Sequence, residues 1–180
     1  MLLVAVDIGN TNVVIGFLDD GHIAGTYRIT TKANHTSDEY GLMITQFLRL
    51  SGYAPGDVDD VIITSVVPKV MHSFRASIVK FLNIDPMIVG PGVKTGINIR
   101  MDNPQNMGAD CIADCAGAYY EYGGPILVAD FGTATTFNYV TADASVICGL
   151  ITTGIRTGAA ALWDACLLYT SPSPRDATLS

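Results

Sequence analysis

The sequence predicts an α/β fold in which a mixed sheet flanked by helices is built twice. Three observations carry that prediction. Short β-branched runs separated by turn residues open the chain, helical apolar spacing then alternates with further strands, and one strand-and-turn pattern occurs at residues 4–12 and again at 127–135. The chain has 180 residues, 49% of them hydrophobic and 15% charged, which is enough apolar surface for a sizeable core and excludes a disordered chain.

Leu2 to Ile8, Val13 to Leu18 and Ile23 to Ile29 read as three strands. Asp20-Gly21 between the second and third is a hairpin signal, because Gly tolerates positive φ. Thr36-Ser37-Asp38-Glu39 supplies an N-cap and first-turn acids for a helix carrying Tyr40, Met43, Ile44, Phe47 and Leu48, closed near Gly52. Asp60 to Val67 is a continuous β-branched run that suits a central strand buried on both faces. Pro68 opens a second helix with Val70, Phe74, Ile78 and Phe81 at helical spacing. A further helix spans Gly108 to Tyr122, Gly123-Gly124-Pro125 breaks it, and Ile126 to Asp130 is a buried-type strand.

Val4-Ala5-Val6-Asp7-Ile8-Gly9-Asn10-Thr11-Asn12 aligns with Leu127-Val128-Ala129-Asp130-Phe131-Gly132-Thr133-Ala134-Thr135. Each copy ends a hydrophobic strand in Asp-x-Gly and turns through small polar residues into the next strand. Each offers a carboxylate at a strand end, a Gly that lets backbone approach closely, and hydroxyl or amide side chains that can join backbone N–H groups around a phosphate. A single copy would be read as a plain turn. Two copies after matched strands point to a nucleotide phosphate chain held in a cleft, with Asp7 and Asp130 available for cations. Asp110 opens the Ala-rich helix, where it either complements the helix dipole or serves as a base toward a hydroxyl.

Ten Lys plus Arg against seventeen Asp plus Glu leave a net charge of −7 with no basic run, which argues against nucleic-acid binding. No P-loop motif occurs, and Gly90 to Gly96 misses the dinucleotide fingerprint by one residue. Cys111 and Cys115 share a helix face without a His or second Cys pair, so they are expected to pack as small hydrophobes. The histidines suggest no hydrolytic triad. The absence of a signal-like start and of any apolar run of about 18 residues leads to an expectation of a cytoplasmic protein without a membrane span.

With both Asp-x-Gly turns and Gly108-Ala109-Asp110 in view, the chain resembles the bacterial type III pantothenate kinases. These belong to the acetate kinase, sugar kinase, Hsp70 and actin superfamily, with duplicated RNase H-like halves. Ser65-Val66-Val67-Pro68, Asp102-Asn103-Pro104 and Gly149-Leu150-Ile151 with Gly154 extend the resemblance. It implies phosphorylation of pantothenate to 4′-phosphopantothenate by ATP, the first step of coenzyme A synthesis, in a homodimer. It further implies that Asp7, Ile8, Gly9, Asn10, Thr11, Asn12, Val13 and Val14 cradle the ATP phosphates, with Thr133 also on the nucleotide. Asp110 would be the catalytic base, and Met101, Gly108, Ala109 and Cys111 would line the pantothenate site. Asp130 would hold a monovalent cation, K⁺ or NH4⁺, and Asp7 would approach the Mg²⁺ that accompanies ATP.

Cys111 stands where the family carries Arg, Met101 where it carries an aromatic residue, and Thr153 where it carries Pro. A thiol cannot form the charge-assisted fork that Arg makes with a carboxylate. The alternative reading is a nucleotide-binding accessory protein on the same fold without substrate chemistry. The expected organisation is a first RNase H-like half over 1–107, the start of a second over 108–166, and a non-family tail over 167–180. Because family chains continue further, the second half is expected to be incomplete, its sheet and helix faces exposed, and this polypeptide aggregation-prone and poorly active.

Overall fold

Strands β1 (Leu2–Ile8), β2 (Asn12–Asp19) and β3 (His22–Thr30) form an antiparallel meander. The computed structural model describes residues 1–90 and 92–165. Asp20 and Gly21 join β2 to β3 with φ of 47° and 80°. Positive φ at both central positions is the type I′ geometry, whose twist matches the strands on either side.

Helix α1 (Ser37–Leu50) starts in a capping box. The Glu39 N–H donates to Thr36 Oγ1 at 3.3 Å while the Thr36 N–H donates to Glu39 Oε2 at 2.7 Å. The helix stops at Gly52, and the Tyr53 N–H donates back to the Leu48 carbonyl. Strand β4 (Val58–Ser65) runs parallel to β1, helix α2 (Pro68–Leu82) starts on Pro68, and β5 (Met87–Ile88) adds a short parallel edge. The sheet order is β3-β2-β1-β4-β5.

Alternation along β1 sends Leu2, Val4, Val6 and Ile8 to one face, joined by Val13, Ile15 and Phe17 of β2 and by Val61 and Ile63 of β4. Tyr40, Ile44 and Leu48 of α1 and Val70, Phe74 and Ile78 of α2 complete this core. Full burial of such a side chain contributes about 1.5–3 kcal/mol. The two helices approach closely because Gly41 has no side chain to collide with the Phe81 ring. The β4 region differs from the sequence expectation in two ways. The strand ends at Ser65, whose hydroxyl accepts the Val67 N–H just before Pro68 starts α2. It is also not covered on both faces, since Ile62 is 38% exposed.

Further along, β6 (Asn98–Ile99), α3 (Ala109–Tyr122), β7 (Ile126–Phe131), β8 (Ala134–Val140), β9 (Ser145–Thr153) and α4 (Ile155–Ala165) follow. β7, β8 and β9 form a second antiparallel meander, and β6 pairs parallel to β9, in the order β6-β9-β8-β7. The sequence reading anticipated β7 and a strand after its turn, but neither β9 nor α4. The chain divides into two compact units. Among the described residues, one comprises Met1–Gly96 and Asn103–Ala116, the other Ile97–Asp102 and Gly117–Ala165. The tail expected over 167–180 lies outside the described residues. Among the described residues, no helix is long and apolar enough to cross a membrane.

Candidate functional site

Asp7 is the penultimate residue of β1, on the face opposite Val6 and Ile8. Strand register sets it between Val14 of β2 and Thr64 of β4. The Thr64 hydroxyl donates to Asp7 Oδ1 at 2.8 Å. In the turn that follows, the Gly9 N–H donates to the Asn12 carbonyl at 3.0 Å, and a Cβ on Gly9 would press to 3.2 Å from that oxygen. Thr31, the residue after β3, clamps the turn from outside. Its N–H donates to the Thr11 carbonyl at 2.9 Å and its hydroxyl to the Gly9 carbonyl at 2.6 Å.

Within the expected cradle over Asp7 to Val14, side chains divide between core and surface. Ile8 and Val13 are fully buried core residues that pair with each other across the hairpin, so their side chains face the core. Asn10 and Thr11 are exposed, and Asn12 and Val14 are half-buried. Asn10 and Thr11 are thus the exposed residues of the turn, whereas both backbone groups of Gly9 are engaged, by Asn12 and Thr31.

The Gly108 carbonyl accepts the Ile112 N–H at the start of α3, and Asp110 Oδ1 accepts the Cys111 N–H at 2.7 Å. A Cβ on Gly108 would fall on Asp110 Oδ1 and lie 3.5 Å from Val66 Cγ1. The first turn of α3 is thus packed at the carboxyl end of β4, two residues past Thr64. The Val66 N–H in turn donates to the Ile8 carbonyl. The first unit accordingly gathers Asp7, the Gly9–Thr11 turn, Thr64 and Gly108–Cys111 beyond the carboxyl ends of β1 and β4. Ligands of open α/β sheets bind at such ends.

Cys111 and Cys115 are buried, and burial pushes the Cys115 thiol up to about 12, which keeps it protonated. They pack as hydrophobes, as expected. Among the described residues, no group of three or more His, Cys, Asp and Glu side chains could hold a metal ion. Asp7 offers hard carboxylate oxygens beside a phosphate-type turn. That donor set fits Mg²⁺, which binds through one or two carboxylates plus substrate phosphates.

The second unit has a related turn, one residue shorter between its paired strands. Asp130 is the penultimate residue of β7 and is exposed, the Gly132 N–H donates to the Ala134 carbonyl at 3.0 Å, and the Thr133 carbonyl accepts both the Gly154 N–H and the Thr157 hydroxyl. A side chain on Gly154 would collide with the Gly132 and Thr133 carbonyls. Met101 also belongs to this unit, with its Cε 3.3 Å from where a Cβ on Gly149 would sit. Of the expected pantothenate-site residues, Gly108, Ala109, Asp110 and Cys111 lie in the first unit. Sequence reasoning missed Thr64 and Thr31. The available signal for Thr64 was a hydroxyl interrupting Val61-Ile62-Ile63 at the end of a buried strand.

Solved structures share this architecture. The activator of 2-hydroxyisocaproyl-CoA dehydratase from Clostridium difficile, with bound ADPNP, superposes with a TM-score of 0.52 at 14% identity, over 85% of this chain and 46% of that one. A Ppx/GppA phosphatase from Aquifex aeolicus gives 0.52 at 13% identity, over 99% and 59%. At such identities the likeness shows the fold alone: two sheets flanked by helices. The sequence is more specific, because the family model for type III pantothenate kinase matches residues 3–169, and the chain belongs to that family. The type III pantothenate kinase of Bifidobacterium adolescentis is 92% identical over 164 residues, covering 91% of this chain and 64% of that protein. Its counterpart in Bifidobacterium longum is 76% identical over 162 residues, covering 90% and 63%. The chain thus spans somewhat less than two thirds of the length of these relatives.

Proposed function

We propose that this chain carries the nucleotide-phosphate and base elements of an enzyme that phosphorylates pantothenate to 4′-phosphopantothenate with ATP, in coenzyme A synthesis. The observation that carries the reading is the gathering of Asp7, the Gly9–Thr11 turn and Asp110 at one end of the β1–β4 pair, in a chain of this family. Mg²⁺ accompanying ATP would neutralise charge on its phosphates. Asp7 would hold that ion, and Asn10 and Thr11, on the turn that Gly9 tightens, hold the phosphates. Asp110 accepts the proton of the pantothenate hydroxyl as its oxygen attacks the γ-phosphorus and ADP departs. Thr133 contacts the nucleotide, and Asp130 holds K⁺ or NH4⁺. Gly108, Ala109, Cys111 and Met101 border the pantothenate. The enzyme works as a cytoplasmic homodimer.

The test is ADP release by this chain extended with the remaining portion of the Bifidobacterium adolescentis relative. Pantothenate-dependent turnover is expected, and Asp110→Asn is expected to lower kcat by about 10²–10⁴ while leaving ATP affinity unchanged. ATP binding without pantothenate-dependent turnover in the unsubstituted protein would instead favour the accessory-protein reading. Full turnover in Asp110→Asn would remove Asp110 from its role.

A further inference from the structure

We propose that Thr64 is a positioning residue: its hydroxyl fixes the Asp7 carboxylate in the orientation that receives the nucleotide-bound cation. The inference rests on the reading of Asp7 given above and deepens it.

Three observations lead to it. Thr64 follows Val61, Ile62 and Ile63 in β4 and is only 8% exposed, a place where a β-branched aliphatic residue would fit the strand equally well. A hydroxyl there has to be satisfied, and its one proton has two acceptors in reach. These are Asp7 Oδ1 at 2.8 Å and the Val6 carbonyl at 3.4 Å, so the carboxylate takes the well-formed bond. Finally, donor and acceptor stand directly across the parallel β1–β4 ladder. Their separation is set by the sheet and not by a loop.

The consequence follows from torsional freedom. The terminal torsion of an aspartate is broad and roughly two-fold, so a carboxylate at a strand end can rotate. The Thr64 side chain is stiff at χ1 and anchored in a buried strand. Its bond to Oδ1 selects one carboxylate orientation before any ligand arrives. Outer partners of this kind orient metal-binding carboxylates, and their loss typically costs 10–100-fold in metal affinity or activity.

The experiment measures Mg²⁺·ATP binding by calorimetry, and Mn²⁺·ATP binding by electron paramagnetic resonance, in the extended protein. Thr64→Val, which keeps the β-branch and removes the hydroxyl, is expected to weaken Mg²⁺·ATP by about 10-fold or more. Thr64→Ser is expected to restore binding to within about threefold, and KM for ATP should rise more than KM for pantothenate in the Val variant. If Thr64→Val does not fold, Thr64→Ser against Thr64→Ala makes the same comparison at matched size. A double-mutant cycle with Asp7→Asn separates positioning from general stability: acting through Asp7, the Thr64→Val effect should largely vanish in the Asp7→Asn background. Unchanged Mg²⁺·ATP affinity in Thr64→Val, or additive effects in the cycle, would overturn the proposal. An unsubstituted protein that binds Mg²⁺·ATP but transfers no phosphoryl group to pantothenate, with the cycle still non-additive, supports positioning while the kinase reading fails. Absence of Mg²⁺·ATP binding in the unsubstituted protein overturns both.

Discussion

Asp7 and Asp130 each stand one residue from the end of the first strand in a three-stranded meander, and each is followed by a glycine turn. In both copies the residue after the third strand, Thr31 or Gly154, donates its N–H to a turn carbonyl, that of Thr11 or Thr133. The turns are related, the second shorter by one residue (Phe131 pairs Thr135 where Ile8 pairs Val13), and their surroundings differ more. β1 is flanked by β4, and its meander is covered by α1 and α2, so Val4, Ile8, Val13, Ile15 and Phe17 are fully buried. β7 is the edge of its sheet among the described residues, and Leu127, Phe131, Leu150 and Ile151 are each more than 60% exposed. Local sequence is sufficient to build the Asp-x-Gly turn. Long-range partners are needed to bury the strands that carry it and to give its carboxylate a fixed donor, as Thr64 does for Asp7.

The sharpest way to break this comparison is to remove the same side chain from both units. Phe17→Ala empties a fully buried site and is expected to cost about 3–5 kcal/mol in urea unfolding. Phe131→Ala removes a ring that is 67% exposed and is expected to stay within about 0.5 kcal/mol. A large cost for Phe131→Ala would mean that the second sheet is covered in solution, and the contrast would fail.

Cysteine labelling probes the same difference chemically. Cys115 is buried in the first unit with its thiol pushed up to about 12, while Cys148 lies exposed on β9. At pH 8 only about one Cys115 in 10⁴ carries the reactive thiolate. Mass-spectrometric mapping after brief iodoacetamide treatment is expected to find Cys148 modified at least about a hundredfold faster than Cys115. Comparable rates would show that the α3 packing opens readily.

The smallest expected effect concerns acid, and here the two units should behave alike. The Thr36 N–H, followed by His35 and the Thr36 hydroxyl, holds the Glu39 carboxyl below its ordinary value. The Thr141 hydroxyl does the same for Asp143, with smaller help from Ser145. A lowered folded value means that each contribution is complete above the unfolded pKa, near about 4.3 for Glu and about 3.9 for Asp, and is lost as pH falls through the folded value. Carboxyl-carbon NMR titration is therefore expected to place both midpoints below those of unfolded peptides. Glu39→Gln, which preserves a capping-box acceptor, should remove the acid response at α1 and leave that of the β8–β9 turn intact.

Much of this architecture was legible in the sequence because its signals are local. The Asp20-Gly21 turn, the Thr36–Glu39 box and the Pro68 start each act within a few residues, and all three appear where expected. The duplication was legible because the strand pattern and Asp-x-Gly repeat together. β9 and α4 were not, since Ser145–Thr153 mixes Gly and Cys with aliphatic residues and Ile155–Ala165 lacks an N-cap signal. In the candidate site, Asp7 and Asp110 could be picked out by position at a strand end and a helix start. Thr64 could not, because its role depends on lying level with Asp7 across a parallel ladder.

The sequence by itself determined the elements with local causes: hairpins from turn chemistry, helices from caps and apolar period, and paired turns from a repeated motif. Only the tertiary structure decided which strand stands beside β1, which side chains of Asp7 to Val14 face the core, and which hydroxyl meets the Asp7 carboxylate. The physical reason is that a parallel pairing joins residues 57 apart in the chain, as for Asp7 and Thr64. No turn or spacing rule sets that register. It is selected by burying the apolar faces of β1, β4, α1 and α2 together.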